Sequence, residues 1–290
     1  MVFNRPDHVI KLIERLKPES DRELFVISDG ARANKSGEAE KVETCLNMFK
    51  DWPGKIHHNS ADHNMGCKAR VSSGLDWVFK HTDRAIILED DCLPHPDFFK
   101  FADDLLDRYA NDPMVLSICG TKTFPINAGD SSVVFSKYNN CWGWATWRRA
   151  WSQYDECFDS YSKFDIFYKL SSFLGSYRAG LYWYFILHKV LNRLISSWAY
   201  CWMITCFLKG GIHIYPASNL IVNAGFGDDS THTTKLADYM PQQYGSKLSF
   251  PISVPLHTTP LESVDNWIED NMYSKSLRVR LKWLLGKIIN

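Results

Sequence analysis

Hydrophobic positions follow two different spacings along the first part of the chain. Helical spacing predicts one helix that begins after Pro6 and others over about 42–49, 66–80 and 96–109. Apolar runs at LFVIS (24–28) and AIIL (85–88) predict buried strands, and KIHHN (55–59) predicts a further strand. Strands that alternate with helices in this way are typical of βαβ units. The predicted fold class is therefore α/β, with a mostly parallel central sheet covered by helices.

The second half of the chain has a looser pattern. Its runs VLSIC (115–119) and SVVFS (132–136) predict strands, and a helix is predicted near 179–194. The most hydrophobic stretch, 194–208, is shorter than the roughly 20 residues that a membrane-spanning helix needs, so we predict a buried helix there. No linker composition separates the halves. We predict a single domain over 1–260, followed by an amphipathic helical tail over 261–290.

Composition and charge indicate which partners the chain is expected to bind and in which cellular compartment it is expected. The chain has 33 basic and 33 acidic residues, so no overall field favours nucleic acid as a partner. Its 8 cysteines include no C-x-x-C pair, which is typical of reduced thiols in a cytoplasmic protein. Met1 leads directly into VFNRP, without the pattern of a signal peptide. We therefore expect a cytoplasmic protein.

Three acids at the end of a predicted strand are the strongest candidates for chemistry. Glu89, Asp90 and Asp91 follow AIIL directly, and Asp29 follows LFVIS. Ligands of open α/β sheets bind at the carboxyl ends of strands, so these acids are expected in one cleft. Side chains alternate along a strand, which puts Glu89 and Asp91 on one side. Carboxylates suit Mg²⁺ or Mn²⁺ bound together with a substrate phosphate.

Two other interpretations of the acids stay open. They could form a solvated acidic turn, or they could cap the helix predicted from residue 96, a task that Asp97 could perform alone. The glycine-rich phosphate loops of dinucleotide and P-loop enzymes are absent from the sequence, which leaves a metal ion as the group that would neutralise phosphates.

Four sequence blocks, in this order, resemble the GT-A glycosyltransferases. They are FNRPDH, LFVISDG, NMGCKARVSSGLDWVF and IILEDDCLPHPDFFKF. The resemblance covers about residues 2–235 and is nearest to Golgi N-acetylglucosaminyltransferases of N-glycan processing and to bacterial sugar transferases of surface-polysaccharide pathways, such as O-antigen assembly. It implies a GT-A, Rossmann-like fold with a nucleotide-binding half over about 1–120 and an acceptor half over about 121–260.

The resemblance also implies roles for residues of the first half. Asn4, Arg5 and Asp29 would contact the nucleotide, and Arg70 stands where a histidine contacts the base, which leaves the base preference open. Asp91 would bind Mn²⁺ directly, while Glu89 and Asp90 would hold the ribose or metal-bound water.

Lys68 is inferred from the residues themselves. A cation on the helix over 66–80 could lie beside the metal and contact the donor diphosphate. The alternative is an exposed helix lysine.

The segment NCWGWATWRRAW (140–151) resembles the sugar-side floor of these enzymes. Trp142 and Trp144 would stack on sugar faces, and Gly143 would let the backbone approach the ligand. The alternative is structural, because Trp147 and Trp151 are four residues apart and could form one buried helix face.

The loop NAGFGDDSTHT (223–233) could close on the donor. His232 could complete the metal shell, although a lone loop histidine is usually solvated.

The general base of an inverting transfer is not identified. The resemblance implies an acid within the segment SWAYCW (197–202), but this chain has Ala199 there. Asp229, Asp228 and, less directly, Asp165 are the alternative acids, and each could instead be an ordinary surface acid.

The predicted activity is therefore metal-dependent transfer of a sugar from a nucleotide-diphosphate donor, with UDP-GlcNAc favoured, to a glycan or lipid-linked acceptor. The alternatives are a degenerate carbohydrate-binding module, which Ala199 would explain, and a sugar nucleotidyltransferase, whose glycine-rich first loop is missing.

The last residues, 275–290, combine cations with an apolar helical face. They could lie on the inner face of the membrane, as in a peripheral protein, or dock on the domain.

Overall fold

The computed structural model describes residues 1–225 and 241–273, which form a mixed α/β structure. Its strands are β1 (Leu24–Ser28), β2 (Ile56–Ser60), β3 (Arg84–Ile87), β4 (Cys92–Pro94), β5 (Val115–Cys119), β6 (Val133–Ser136), β7 (Trp144–Trp147), β8 (Ile212–Pro216) and β9 (Ile221–Asn223). Its helices are α1 (Pro6–Leu16), α2 (Glu38–Asn47), α3 (Cys67–His81), α4 (Pro96–Arg108), α5 (Arg148–Trp151), α6 (Lys163–Leu174), α7 (Tyr177–Leu191), α8 (Trp198–Leu208) and α9 (Glu262–Ile268).

The central sheet has five strands in the order β3-β7-β5-β8-β6. Only the β5–β8 pairing is parallel, and the other three pairings are antiparallel. A mostly parallel sheet is therefore not confirmed. The helix-between-strands pattern that favours parallel pairing ends near α4, and β6 and β7 then enter the sheet without a helix between them.

The first strands nevertheless meet at one edge. β1 pairs in parallel with β2, and the Val2 amide donates to the Ile27 carbonyl at 2.9 Å. The Met1 ammonium donates to the Leu88 carbonyl at 2.7 Å, just past the end of β3. Residues 1–2 thus connect the carboxyl ends of β1 and β3. As expected, Asp29 and Glu89 lie on the same edge.

Helix α4 follows the three acids Glu89, Asp90 and Asp91, and it forms as the spacing of its apolar residues predicts. Pro96 occupies its first turn, and Phe98, Phe101 and Leu105 are fully buried on one face. Asp97 lies in the first turn, where its Oδ2 accepts from the Leu248 amide at 3.0 Å. The helix start is capped by His95 rather than by Asp97, because His95 Nδ1 accepts from the Asp97 amide at 3.1 Å. None of the three acids before it serves as this cap.

The hydrophobic stretch at 194–208 forms α8, as predicted, and nearly all of that helix is buried. Among the residues that the structure describes, no helix is both long and apolar enough to cross a bilayer. All eight cysteines are free, in agreement with the absence of a disulfide framework.

The structural alternative for Trp147 and Trp151 is confirmed in their burial but not in a shared helix face. Trp147 ends β7, and Trp151 ends the short helix α5 that follows, although both side chains are buried. The four-residue spacing of the two tryptophans favours a helix, but Trp147 lies in β7 because that strand pairs with β3 and β5.

The first part of the predicted tail is docked on the domain. Val264 and Ile268 of α9 are buried in the core beside α7 and α8, and Asp265 accepts from the Ser136 hydroxyl at 2.6 Å. Residues 274–290, with the predicted membrane-binding helix, lie outside the described residues.

Candidate functional site

The acid cluster is held together by one arginine from the start of α1. Arg5 Nη2 donates to Asp90 Oδ1 and to Asp91 Oδ2, the latter at 3.1 Å. Asp90 is only 2% exposed, whereas Glu89 and Asp91 are partly exposed. Two positive groups, Arg5 and the Met1 ammonium, therefore lie near three carboxyl groups, and the cluster keeps an excess of negative charge when all three are ionised.

The electrostatics of the cluster reflect this imbalance. Burial and the neighbouring Asp91 raise the pKa of Glu89 to about 7, against the opposing effects of the Met1 ammonium and Arg5. Burial also raises the pKa of Asp90, although Arg5 counteracts it. Burial would lower the pKa of Arg5, but the two aspartates outweigh it and the net shift is upward. A bound cation would relieve this repulsion.

The backbone of a neighbouring strand covers one side of Asp91. β4 pairs with β9, which brings Asn223 opposite Cys92, and the Ala224 amide donates to the Asp91 carbonyl at 2.8 Å. A Cβ atom on Gly225 would lie 2.2 Å from Asp91 Oδ2, so only glycine fits at this position. The sequence interpretation missed this contact, although the glycine in NAGFG was a signal for close backbone approach.

Three predicted site residues follow Gly225 along the chain. Asp228, Asp229 and His232 lie outside the described residues, so their positions relative to Asp91 are left as predictions.

Asp29 lies at the expected edge but is used to anchor a loop. Its Oδ1 accepts from the amides of Gly30 and Met65 at 2.9 Å each. Its Oδ2 accepts from the Gly66 amide at 2.9 Å and from Asn64 Nδ2 at 3.1 Å. Asp29 thus fixes the loop that starts α3, and it would contact a nucleotide only in addition to these four bonds.

Arg70 is buried and points its donors into the protein. Its Nε donates to the Ser28 carbonyl at 2.9 Å, and its Nη2 donates to both the carbonyl and the side chain of Asn59. Burial lowers the pKa of Arg70. These contacts join the ends of β1 and β2, which is a structural role beside the base contact that the resemblance implies.

Asn4 and Lys68 each contact a nearby acid. Asn4 Nδ2 donates to Glu38 Oε1 at 2.9 Å, and that carboxylate also pairs with Arg32. Lys68, in the first turn of α3, lies 3.3 Å from Glu156 Oε2, and its side chain is 23% exposed. Lys68 is therefore not the fully exposed helix lysine of the alternative interpretation.

The residues predicted to form the sugar-side floor differ in their burial. Trp144 is 1% exposed and stacks on Trp198 with ring centroids 5.9 Å apart, which favours the structural alternative for this residue. Gly143 has a φ of 65°, and a Cβ there would lie 2.6 Å from Ile221, so packing against β9 explains the glycine. Trp142 is only partly buried and remains the candidate for ligand contact.

Ala199 lies in the first turn of α8, two residues after the capping residue Ser197, whose hydroxyl accepts from the Tyr200 amide at 3.3 Å. It is partly exposed and packs beside the tryptophan cluster of Trp144 and Trp198. The position could hold a small acid at the start of a helix, where the helix dipole favours negative charge.

Asp165 has a structural task. It lies in the first turn of α6, where the Ser162 hydroxyl donates to its Oδ2 at 2.6 Å and accepts from its amide at 3.1 Å. This reciprocal cap accounts for an acid at this position without a catalytic role.

The chemistry of the donor set fits a hard divalent cation only if other ligands complete the shell. Over 1–225 and 241–273, no group of three or more His, Cys, Asp or Glu side chains is arranged as a metal site. Glu89 and Asp91 supply carboxylate oxygens, and Mg²⁺ or Mn²⁺ with a nucleotide usually takes only one or two carboxylates, completed by phosphates and water.

A mainly apolar cavity lies apart from the acid cluster. It measures about 330 Å³ and is lined mainly by apolar side chains between β1 and β3, among them Val26, Leu75 and Ile86. No carboxylate of the acid cluster lines it.

Comparison with known proteins identifies no family for this chain. No protein-family model matches the chain, and a search of curated proteins found no match.

Proposed function

We propose that the chain is a metal-dependent GT-A glycosyltransferase that transfers a sugar from a nucleotide-diphosphate donor to a glycan or lipid-linked glycan acceptor, with inversion. The observation that carries the proposal is the acid cluster at the end of β3. Arg5 clamps Asp90 and Asp91 there, and the backbone at Gly225 packs closely against the Asp91 side chain.

The topology of the first strands supports a nucleotide-binding half. Neighbouring segments follow in the order β2, β1, residues 1–2 and the end of β3. Residues 1–2 therefore link the carboxyl ends of β1 and β3. In open α/β sheets, ligands bind outside the carboxyl ends of strands. The GT-A form of the fold and the halves over 1–120 and 121–260 are part of this proposal.

In the proposed site, Asp91 and Glu89 would hold Mn²⁺ or Mg²⁺. The cation supplies charge that stabilises the leaving diphosphate. Arg5 fixes the orientation of Asp91, and Lys68 on α3, which pairs with Glu156, would supply a second positive charge to the donor diphosphate. UDP-GlcNAc is the favoured donor because of the sequence resemblance alone.

A second candidate function is favoured by one observation. Ala199 occupies the position where the resemblance implies an acid, and among the described candidates Asp165 is engaged in a helix cap. A chain with an intact donor site and no base would be a non-catalytic, carbohydrate-binding module. Asp228 and Asp229 are the bases that the enzyme proposal requires.

The experiment measures UDP release from UDP-GlcNAc with Mn²⁺, in the chain as given and in the variants Ala199→Asp and Ala199→Asn. The proposal predicts turnover by the chain, or turnover that appears in Ala199→Asp and not in the isosteric Ala199→Asn control. Absence of turnover in all three proteins, across a panel of nucleotide sugars and with nucleotide binding intact, would contradict the enzyme and support the binding module.

A further inference from the structure

Large hydrophobic side chains are exposed together on α6 and α7. Seven of the 12 exposed large hydrophobic residues in the described chain fall between residues 164 and 194. Phe164 is 75% exposed and Tyr177 is 79% exposed, although a folded protein normally covers side chains of this size. We define the α6–α7 face by these residues: Phe164, Tyr168, Tyr177, Leu181, Phe185, Leu191 and Leu194.

The face is continuous across the two helices. Tyr177, Leu181 and Phe185 recur every four residues along α7, so they lie on one side of that helix. The partly buried Phe167 of α6 bridges to α7, with its ring centroid 6.5 Å from that of Tyr177 and 6.1 Å from that of Tyr184. The exposed residues of both helices thus belong to one surface.

The segment that carries this face has more positive than negative charge, although Arg178 within it pairs with Asp270. Between residues 163 and 194 the only acid is Asp165, whereas the chain as a whole has equal numbers of acids and bases. Lys163, Lys169 and Arg193 are exposed, and Lys189 is partly exposed. The surface therefore combines exposed aromatic and aliphatic side chains with a local excess of cations.

We propose that the α6–α7 face docks on an anionic lipid bilayer. Aromatic and leucine side chains on one face, with lysine and arginine beside them, are the composition of interfacial helices that lie in the headgroup region. Each cation near an anionic membrane surface adds to the attraction. A protein partner or a second copy would cover the apolar residues equally well, but it would not by itself account for the excess of positive charge.

This surface is distinct from the predicted membrane helix at 275–290, which lies outside the described residues. It also does not depend on the proposed sugar transfer, because membrane binding is measured without a donor or an acceptor. Failure of one proposal therefore leaves the other unaffected.

The test is co-sedimentation of the full chain with vesicles of phosphatidylcholine that contain about a third phosphatidylglycerol, compared with phosphatidylcholine alone. The test variant replaces Phe164, Tyr177 and Phe185 with serine. The matched control is Leu256→Ser, because Leu256 is 91% exposed but lies outside the face. A second variant replaces Lys163, Lys169 and Arg193 with glutamine.

We expect the unmodified chain and Leu256→Ser to bind anionic vesicles equally. The triple serine variant should lose at least about tenfold in partition coefficient, and the glutamine variant should lose its preference for anionic lipid. All replaced side chains are exposed, so thermal unfolding should be nearly unchanged.

Three results would overturn the proposal. The first is that the unmodified chain does not bind vesicles. The second is that the serine variant binds as well as the control, which would assign binding to another segment such as 275–290. The third is a dimer in sedimentation velocity that the serine substitutions dissociate, without any vesicle binding, which would assign the face to a second copy.

Discussion

Substitution of Glu89 by glutamine tests the electrostatics of the acid cluster. The pKa of Glu89 is raised from 4.5 to about 7 in the folded protein by burial and by the neighbouring Asp91. The folded state therefore retains a proton that the unfolded state has already released between these pH values. Because the folded state binds more protons in this window, stability falls as the pH rises through it and is lowest above the folded pKa.

The size of the effect follows from the shift. A difference of about 2.5 pKa units corresponds to about 3 kcal/mol of free energy of unfolding, lost in full above about pH 7. Glu89→Gln removes the ionisation and keeps the shape of the side chain. We expect the variant to be more stable than the unmodified chain by about 2–3 kcal/mol at about pH 8, and nearly equal to it at about pH 4.

The assay is urea unfolding across this pH range in the presence of a chelator. Glu43→Gln is the control, because Glu43 is an exposed glutamate on α2. Addition of Mn²⁺ with UDP should reduce the loss of stability at high pH in the unmodified chain, since a cation would replace the proton in offsetting the negative charge. Parallel pH profiles for the unmodified chain and Glu89→Gln would refute this account of the cluster.

Three further substitutions separate ligand contact from structure. Gly225→Ala places a Cβ atom 2.2 Å from Asp91 Oδ2, so it should weaken Mn²⁺-dependent UDP binding at least about tenfold, as measured by titration calorimetry. Unchanged affinity would contradict the role given to this contact. Arg70→Gln leaves buried carbonyls without their donor, so it should lower the free energy of unfolding, measured in urea, by about 1–3 kcal/mol. A change in UDP affinity without destabilisation would instead support a base contact. In Asp29→Asn, the single amide oxygen cannot accept all four hydrogen bonds, so the loop over 64–66 should be destabilised by about 1–3 kcal/mol. Faster amide exchange in that loop would show this, and unchanged exchange would contradict the anchoring role.

The sequence predicts the first half of the fold well, for a local reason. β1, β3 and α4 each carry a complete signal within a few residues, whether an apolar run or a proline followed by helical spacing. Position at a strand end then places Asp29 and the three acids at one edge. No local feature of the sequence, however, specifies that Arg5 reaches across to Asp90 and Asp91.

The rest of the fold depends on contacts that the local pattern does not contain. Trp144 is apolar enough for either a ligand platform or a core position, and only the packing of α8 against β7 places it beside Trp198. Three of the four donors to Asp29 come from a loop more than thirty residues further along the chain. The direction of β7 in the sheet is likewise fixed by pairing with β3 and β5.

The central claim is that Asp91 helps to bind a divalent cation together with a nucleoside diphosphate. Titration of UDP into the chain by calorimetry, with and without Mn²⁺, tests it most directly when Asp91→Asn is compared with Asp62→Asn, an exposed aspartate in the loop after β2. We predict Mn²⁺-dependent binding that Asp62→Asn retains and that Asp91→Asn weakens by at least about tenfold. UDP binding of equal strength in all three proteins, or binding that is indifferent to Mn²⁺, would contradict the account.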